Sequence, residues 1–543
     1  MKTYNVILHK GVDYQSFWDD MEKDDDGGNL YIPNRRVDSP NLRPNSQRQT
    51  WYSLTEEEVE IVKQDERVLE VEIPPEFRDD IIIAPRLVQQ SDFTKTTSDS
   101  GNYVNWGLIR SNSLTNNYGT GTTTSENYNY ILDGSNVDVV IQDSGIEVNH
   151  PEFEDAQGNN RVQEIDWFTT SGVVGTQDAN HYRDYDGHGT HCAGIAVGKT
   201  YGWAKNANIY AQKIQGLEGS GDSGTGISPT VAFDCIKGWH NNKAINPATG
   251  VKNPTVVNMS WGYLALVLNS TLQNINYRGT EYTGLDIDTA TERETNFGMM
   301  NNIYDFDGSE FRYAVNVRFA SVDTDIEEML DAGIHICVAA GNRSNKVDEF
   351  GGTDYNNSYT NDIFTYYYHR GSSPYGDASV NGGQRAIIVG NIDSTAASAT
   401  NDQKVQSSET GPGVDIYAPG TNIMSCTSTT NKWGAGSQNY YLNASYRQTN
   451  ITGTSMAAPQ VVGVIALLLQ MNPTATPAQI KNTLLQNAGT AILNTGTDND
   501  WTNDRSLKGG AAKVLYNRFN KEKTFTFSGF NMSGGLKFDV KEN

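Results

Sequence analysis

The chain has 543 residues, with 41 Lys and Arg against 65 Asp and Glu, a formal net charge of −24 and a sequence pI near 4.7. That balance argues against nucleic acid as a partner, because each phosphate contact needs a cation and none cluster here. Hydrophobic residues at 37%, 52 glycines and a mean hydropathy of −0.56 suit a loop-rich globular protein of two to four domains at ~100–200 residues each, and no uninterrupted apolar run of ~18 residues predicts a membrane span.

Residues 1–76 read as a small α+β unit. Strands are expected over 4–8 and 67–73, and helices over 14–21 and 55–64, the latter with Thr55 as N-cap before a Glu-rich first turn. The opening residues lack the ~7–15-residue apolar core of a secretory signal, so export by that route is not expected and the compartment stays open. Pro74-Pro75 ends the unit, and 77–100, mixed acidic, apolar and Ser/Thr-rich, reads as a linker. From Val137 short apolar runs alternate with helices. Strands are predicted over 137–142, 209–214, 256–259, 334–340, 386–389 and 414–417, and helices over 322–332 and 455–471. Nearly continuous apolar strands are those covered on both faces, which predicts a parallel α/β sheet flanked by helices. The polar, Tyr- and Asn-containing stretch 263–321 reads as an insertion, and 491–543 as a tail ending in strands over 524–527 and 536–540. The four cysteines, 192, 235, 337 and 426, each lie in or beside apolar segments and read as small buried hydrophobes, too few for a disulfide scaffold. The sequon at Asn269 says nothing without secretion.

Three segments carry chemistry. Val139-Val140-Ile141-Gln142-Asp143-Ser144-Gly145 sets a carboxylate at the carboxyl end of a buried strand, the edge where open α/β sheets bind ligands, although Asp there is also an ordinary turn former. Asp186-Gly187-His188-Gly189-Thr190-His191-Cys192 places an imidazole at a tightly packed helix start. His188, His191 and Cys192 also form a zinc half-site on one helical face, but no second Cys/His cluster follows at ligand spacing. Gly453-Thr454-Ser455-Met456-Ala457-Ala458-Pro459 opens the most apolar helix with a serine that could be only an N-cap, or a hydroxyl whose developing charge the helix dipole favours.

In the order Asp143, His188, Ser455 these segments resemble the subtilisin-like serine proteases (subtilases, peptidase family S8), whose triad follows that order in the chain. The resemblance implies a subtilisin-like catalytic domain over 101–490, a serine endopeptidase acting through an acyl-enzyme, and polypeptide substrates. Asn342, in Ala339-Ala340-Gly341-Asn342, matches the oxyanion segment. Gly219-Ser220-Gly221 and Ser260-Trp261-Gly262 look like the two strands that hold an extended substrate, with Ala340 and Gly341 also expected at the substrate. Residues 1–76 are similar to the inhibitory propeptide (inhibitor I9 type), which implies an intramolecular inhibitor and self-processing within 77–100. No cofactor is implied for the chemistry; a structural calcium is, at Glu152 in His150-Pro151-Glu152-Phe153, where the family often has an Asp that binds calcium. The chain departs from the family pattern at Cys192, where many members have Val, in the length of 263–321, and in lacking a signal peptide. The alternative is a catalytically idle subtilase fold serving as a structural or binding part of a larger assembly.

Overall fold

The computed structural model describes residues 1–23, 37, 45–78, 80–85, 105–116, 128, 130–268, 274–284, 289–300, 303–305, 311–360, 364–376, 384–398, 400–497, 500–502, 505–518, 525–527 and 540–542.

The N-terminal unit runs β1 (Lys2–Leu8), α1 (Tyr14–Met21), β2 (Gln49–Leu54), α2 (Glu56–Val62) and β3 (Val68–Glu72), with its antiparallel sheet in the order β2-β1-β3. Local chemistry fixes both helix starts. Asp13 accepts from Ser16 N at α1, and Thr55 and Glu58 form a reciprocal capping box at α2. Val6, Leu8, Phe17, Met21, Tyr52 and Val62 bury a core separate from that of the body.

Next comes β4 (Ile81–Pro85), a strand inside the stretch expected to be a linker. Three consecutive isoleucines are strong strand formers, which explains the difference. The remainder of that linker, 86–100, and the 101–104 start of the expected catalytic domain lie outside the described residues.

The elements that frame the site follow in the order β5 (Asp138–Asp143), α3 (His188–Val197), β6 (Asn208–Lys213), α4 (Pro229–Asn242), β7 (Thr255–Met259), β8 (Trp261–Leu268) and β9 (Phe311–Asn316). After these come α5 (Ala320–Asp331), β10 (His335–Ala339), β11 (Ile387–Ile392), β12 (Ile416–Pro419), β13 (Ile423–Thr427), β14 (Asn443–Ile451) and α6 (Thr454–Met471). Six strands make one parallel sheet in the order β12-β11-β10-β7-β5-β6, each within about two residues of its predicted place. The interior strands are buried residue for residue, as their apolar runs require.

By length and composition α6 could cross a membrane, contrary to the expectation from uninterrupted runs, with a hydropathy of 1.5 over its 18 residues. In the fold 89% of it is buried, packed on α3 and on the sheet, which accounts for its apolar composition. The insertion is not a loop. β8 and β9 belong to an antiparallel sheet that also holds Ile303–Asp305 and β4, while Asn274–Tyr277 and Thr280–Thr283 form a hairpin through Arg278 and Gly279, both at positive φ as a two-residue turn demands. Leu507, Val514 and Leu515 join the body core, so the body continues beyond 490. In the tail, Phe525–Phe527 pairs with Val540–Glu542; the part of the second predicted strand before 540 lies outside the described residues.

The N-terminal unit docks on the starts of α4 and α5. No side chain of its own caps α5; instead Glu72 accepts from Ala320 N at 3.2 Å, from Ser321 N at 3.0 Å and from Ser321 Oγ. Glu76 accepts from Ser228 Oγ at 2.9 Å and from Thr230 Oγ1 at the start of α4. A buried Arg48–Glu327 pair at 2.7 Å adds to the contact. Through β4 the unit then reaches the body's edge strand β8, in antiparallel register from Ile81 opposite Ala265 to Pro85 opposite Trp261.

Candidate active site

Asp143 ends β5, and its Oδ1 takes the amide of Ser144 at 2.8 Å. Ser144 Oγ in turn accepts from Gly189 N at 2.9 Å and donates to the buried Asp184 at 2.9 Å. Asp184, its carboxyl pushed up to about 6 by burial, also holds Thr190 N at 2.9 Å, so the first turn of α3 is tied to the end of β5. Gly189 is required for that approach, because a β-carbon there would lie 2.2 Å from Gly145 O. Gly187, at φ +90°, supplies the left-handed turn that starts the helix.

The result sets His188 Nδ1 2.7 Å from Asp143 Oδ1, both side chains buried. Burial alone would lower the imidazole's pKa, but the charge and hydrogen bond of Asp143 outweigh it and hold His188 well above its usual 6.5. His191 faces away, its Nε2 3.0 Å from Thr449 O, and burial pulls it down to about 3. The zinc half-site therefore does not assemble. Among the described residues the grouping with mutually close ligand atoms is Asp143, His188 and Cys192.

Ser455 is the second residue of α6. Four residues later stands Pro459, which has no N–H to donate, so the Ser455 carbonyl lacks its intrahelical partner. It accepts instead from Ser260 Oγ at 2.9 Å and from the Cys192 thiol at 3.5 Å. That same thiol lies 3.9 Å and 4.0 Å from the two ring nitrogens of His188, so the histidine and the start of α6 both touch one sulfur. The Ser455 hydroxyl donates to Ser260 O at 3.0 Å. Asn342 follows β10, and its Oδ1 accepts from Thr454 N at 2.9 Å and Thr454 Oγ1 at 3.1 Å. Its buried Nδ2 has no hydrogen-bond partner among the described residues.

Ser260 stands just before β8, and Trp261 and Gly262 open it opposite Pro85 and Ala84 of β4. Ala340 and Gly341 link β10 to Asn342, with Ala340 N donating to Val389 O at 2.9 Å and Gly341 N to Thr454 Oγ1 at 3.1 Å. Gly219-Ser220-Gly221 differs from expectation. It forms a turn with Ser220 and Gly221 exposed, and β4 pairs with β8 and not with it. Gly219 itself packs on the segment before His188, since a β-carbon there would lie 2.8 Å from Asp186 N.

Glu152 does not fit a calcium ligand. It is fully buried, with Thr200 N at 2.8 Å and Tyr201 N at 3.3 Å donating to one oxygen and Tyr440 Oη at 2.7 Å to the other. Those are hydrogen-bond donors suited to an anion, whereas calcium needs a shell of oxygen acceptors. The carboxylate instead holds the turn that follows α3. All four cysteines are free and buried, as expected.

The Subtilase family model matches residues 134–516. This chain belongs to the subtilase family. It is 30% identical over 369 residues to Subtilisin-like protease 5 of Arthroderma benhamiae, a match covering 67% of this chain and 58% of that protein. To the subtilisin-like serine protease Pen c 2 of Penicillium citrinum it is 24% identical over 456 residues, 80% of this chain and 74% of the relative. Among solved structures, fervidolysin from Fervidobacterium pennivorans, described as a keratinolytic enzyme related to subtilisin, superposes with a TM-score of 0.51 at 18% identity, covering 95% of this chain and 60% of that one. That likeness is one of fold. Several features of this subtilase's site were not legible as motifs: Ser260 O as the resting partner of the Ser455 hydroxyl, Thr454 as the anchor of Asn342, and Asp184 beneath the helix start. Pro459 alone carried a readable signal, its place four residues after the serine.

Proposed function

We propose that this subtilase is a serine endopeptidase, with Ser455 as nucleophile, His188 as general base and then acid, Asp143 orienting the ring, and Asn342 stabilising the oxyanion. The observation that carries the reading is the buried 2.7 Å contact between His188 and Asp143 beside the start of α6. A serine hydroxyl is a poor nucleophile at neutral pH unless a base takes its proton during attack. On this reading substrate binding turns the Ser455 hydroxyl from Ser260 O towards His188 Nε2. Attack on the peptide carbonyl then moves the proton to His188, whose positive charge Asp143 offsets. The carbonyl oxygen gains charge against the unspent Asn342 Nδ2. His188 returns the proton to the leaving amine, and water releases the acyl group by the same steps.

The N-terminal unit fits an intramolecular inhibitor that has first been a substrate. Glu72 and Glu76 fasten it to two helix starts, and β4 lies along the strand that begins with Trp261-Gly262, as a peptide added at a sheet edge would. Processing is then expected shortly after Pro85. Ser455→Ala is the test: it leaves a folded chain that cuts neither peptides nor itself, as read by a peptide-library digest and intact mass. Undiminished cleavage by that variant would reject the assignment. A serine-directed fluorophosphonate separates the enzyme from an idle scaffold, which would leave Ser455 unlabelled.

A further inference from the structure

We infer that the turn following α3 is held by two cations of the chain's own, the ammonium of Lys205 and the guanidinium of Arg161, and takes no calcium, a property of the fold that holds whether or not the chain cuts peptides. A helix ends on carbonyls without intrahelical partners and on the negative end of its dipole, so its last turn calls for donors and favours positive charge. α3 ends at Val197, and each carbonyl from Ala196 to Thr200 has a partner. Two are met by main-chain amides. Ala196 O accepts from Trp203 N at 3.2 Å and Ala204 N at 2.9 Å, and Gly198 O from Gly202 N at 2.9 Å. The carbonyls of Val197, Lys199 and Thr200 turn to side-chain cations. Arg161 Nη2 donates to Val197 O at 2.5 Å and to Glu152 O at 3.3 Å, while its Nη1 donates to Ala207 O at 2.9 Å. Lys205 Nζ donates to Lys199 O at 2.8 Å and to Thr200 O at 3.4 Å. The amides of the same turn go the other way. Lys199 N donates to Glu152 O at 2.9 Å, and Thr200 N and Tyr201 N donate to the Glu152 carboxylate. Anion and cations thus divide the turn's donors and acceptors between them.

That division leaves a divalent ion without a seat. Calcium gathers ~6–8 oxygen ligands. Here the one carboxylate faces N–H and O–H donors, and an ion approaching the carbonyls would meet two fixed positive charges. Lys205 and Arg161 are only 8% and 7% exposed, so solvent screens that repulsion weakly. Burial lowers Lys205 to about 8 and Arg161 to about 10, and both therefore carry their charge at neutral pH. Attraction to the Glu152 carboxylate supports each of them. The ammonium is also met by the rings of Tyr128 and Tyr130, each centred 5.4 Å away, a cation–π contact that a tethered side chain makes without the entropy of capturing a free ion.

The test uses the full-length chain carrying Ser455→Ala, so that cutting plays no part in the readout. Hydrogen exchange is followed at the amides of residues 199–204, each of which donates to an acceptor named above, in excess calcium and in EDTA. Equal exchange in the two solutions is the expected result. Lys205→Met keeps the apolar stem and removes the donor, and is expected to speed exchange at these amides about tenfold or more in either solution. Slower exchange at 199–204 in calcium than in EDTA would overturn the inference, and so would a folded Lys205→Met chain whose exchange there is unchanged. Should Lys205→Met fail to fold, the comparison of calcium with EDTA, which needs no change at 205, still decides.

Discussion

At the scale of single residues, the candidate chemistry depends on groups left unsatisfied in the resting state. Asn342 commits its oxygen to Thr454 and keeps its N–H pair unengaged inside the protein, a cost that only a bound oxyanion would repay. Asn342→Ala is therefore expected to lower kcat by ~10²–10³ with little change in KM, the usual loss on removing such a donor in this family. A rise in KM at unchanged kcat would show instead that Asn342 binds the ground state. His188 gives a second prediction. A base must be neutral to accept the serine proton, and Asp143 raises its pKa well above 6.5 despite burial. Activity is then lost as pH falls through that raised value, so the acid limb of kcat/KM should have its midpoint above 6.5. A midpoint at or below 6.5 would mean that Asp143 does not charge-couple to the ring. The three residues invoked were readable because each stands in a compact local motif. Thr454 was not, since nothing in Gly453-Thr454-Ser455 signals that Asn342, 112 positions earlier, meets its amide and hydroxyl.

At the scale of elements, the helices and parallel strands were legible because their periodicity and burial are properties of a single segment. What escaped was pairing. The isoleucines of β4 could be read as a strand former, but their partner, β8, lies some 180 positions on and is itself part of what looked like an aperiodic insertion. The cap of α5 escaped for the same reason, because its donor groups at 320 and 321 meet a carboxylate from residue 72. That cap has a pH consequence. The positive end of a helix favours an anion, yet burial dominates and pushes Glu72 up to about 7 from an ordinary 4.5. A carboxyl whose pKa rises on docking contributes stability that is full below about 4.5 and fades as pH climbs through about 7. In an uncut Ser455→Ala background, adding Glu72→Ala should therefore lower the melting temperature more at pH 5.5 than at pH 8. An equal or larger loss at pH 8 would show that the helix end outweighs burial.

At the scale of the whole molecule, two cores are joined by β4, a pair of trans caps and a buried ion pair, and β4 lies along the strand that begins just after Ser260. Composition foretold the acid surface but not its use. With a net charge of −24 the whole chain attracts cations from a distance. Long-range attraction is screened over ~10 Å at 0.1 M salt, whereas contacts inside a closed pocket are screened far less. Ionic strength therefore tests the steering. For a peptide with arginine at the cut and further lysines distant from it, kcat/KM should fall about threefold or more between 20 and 200 mM salt. A peptide with the lysines replaced by neutral residues should fall much less, because it carries less charge for the surface field to steer. If both fall in parallel, the surface field does no steering.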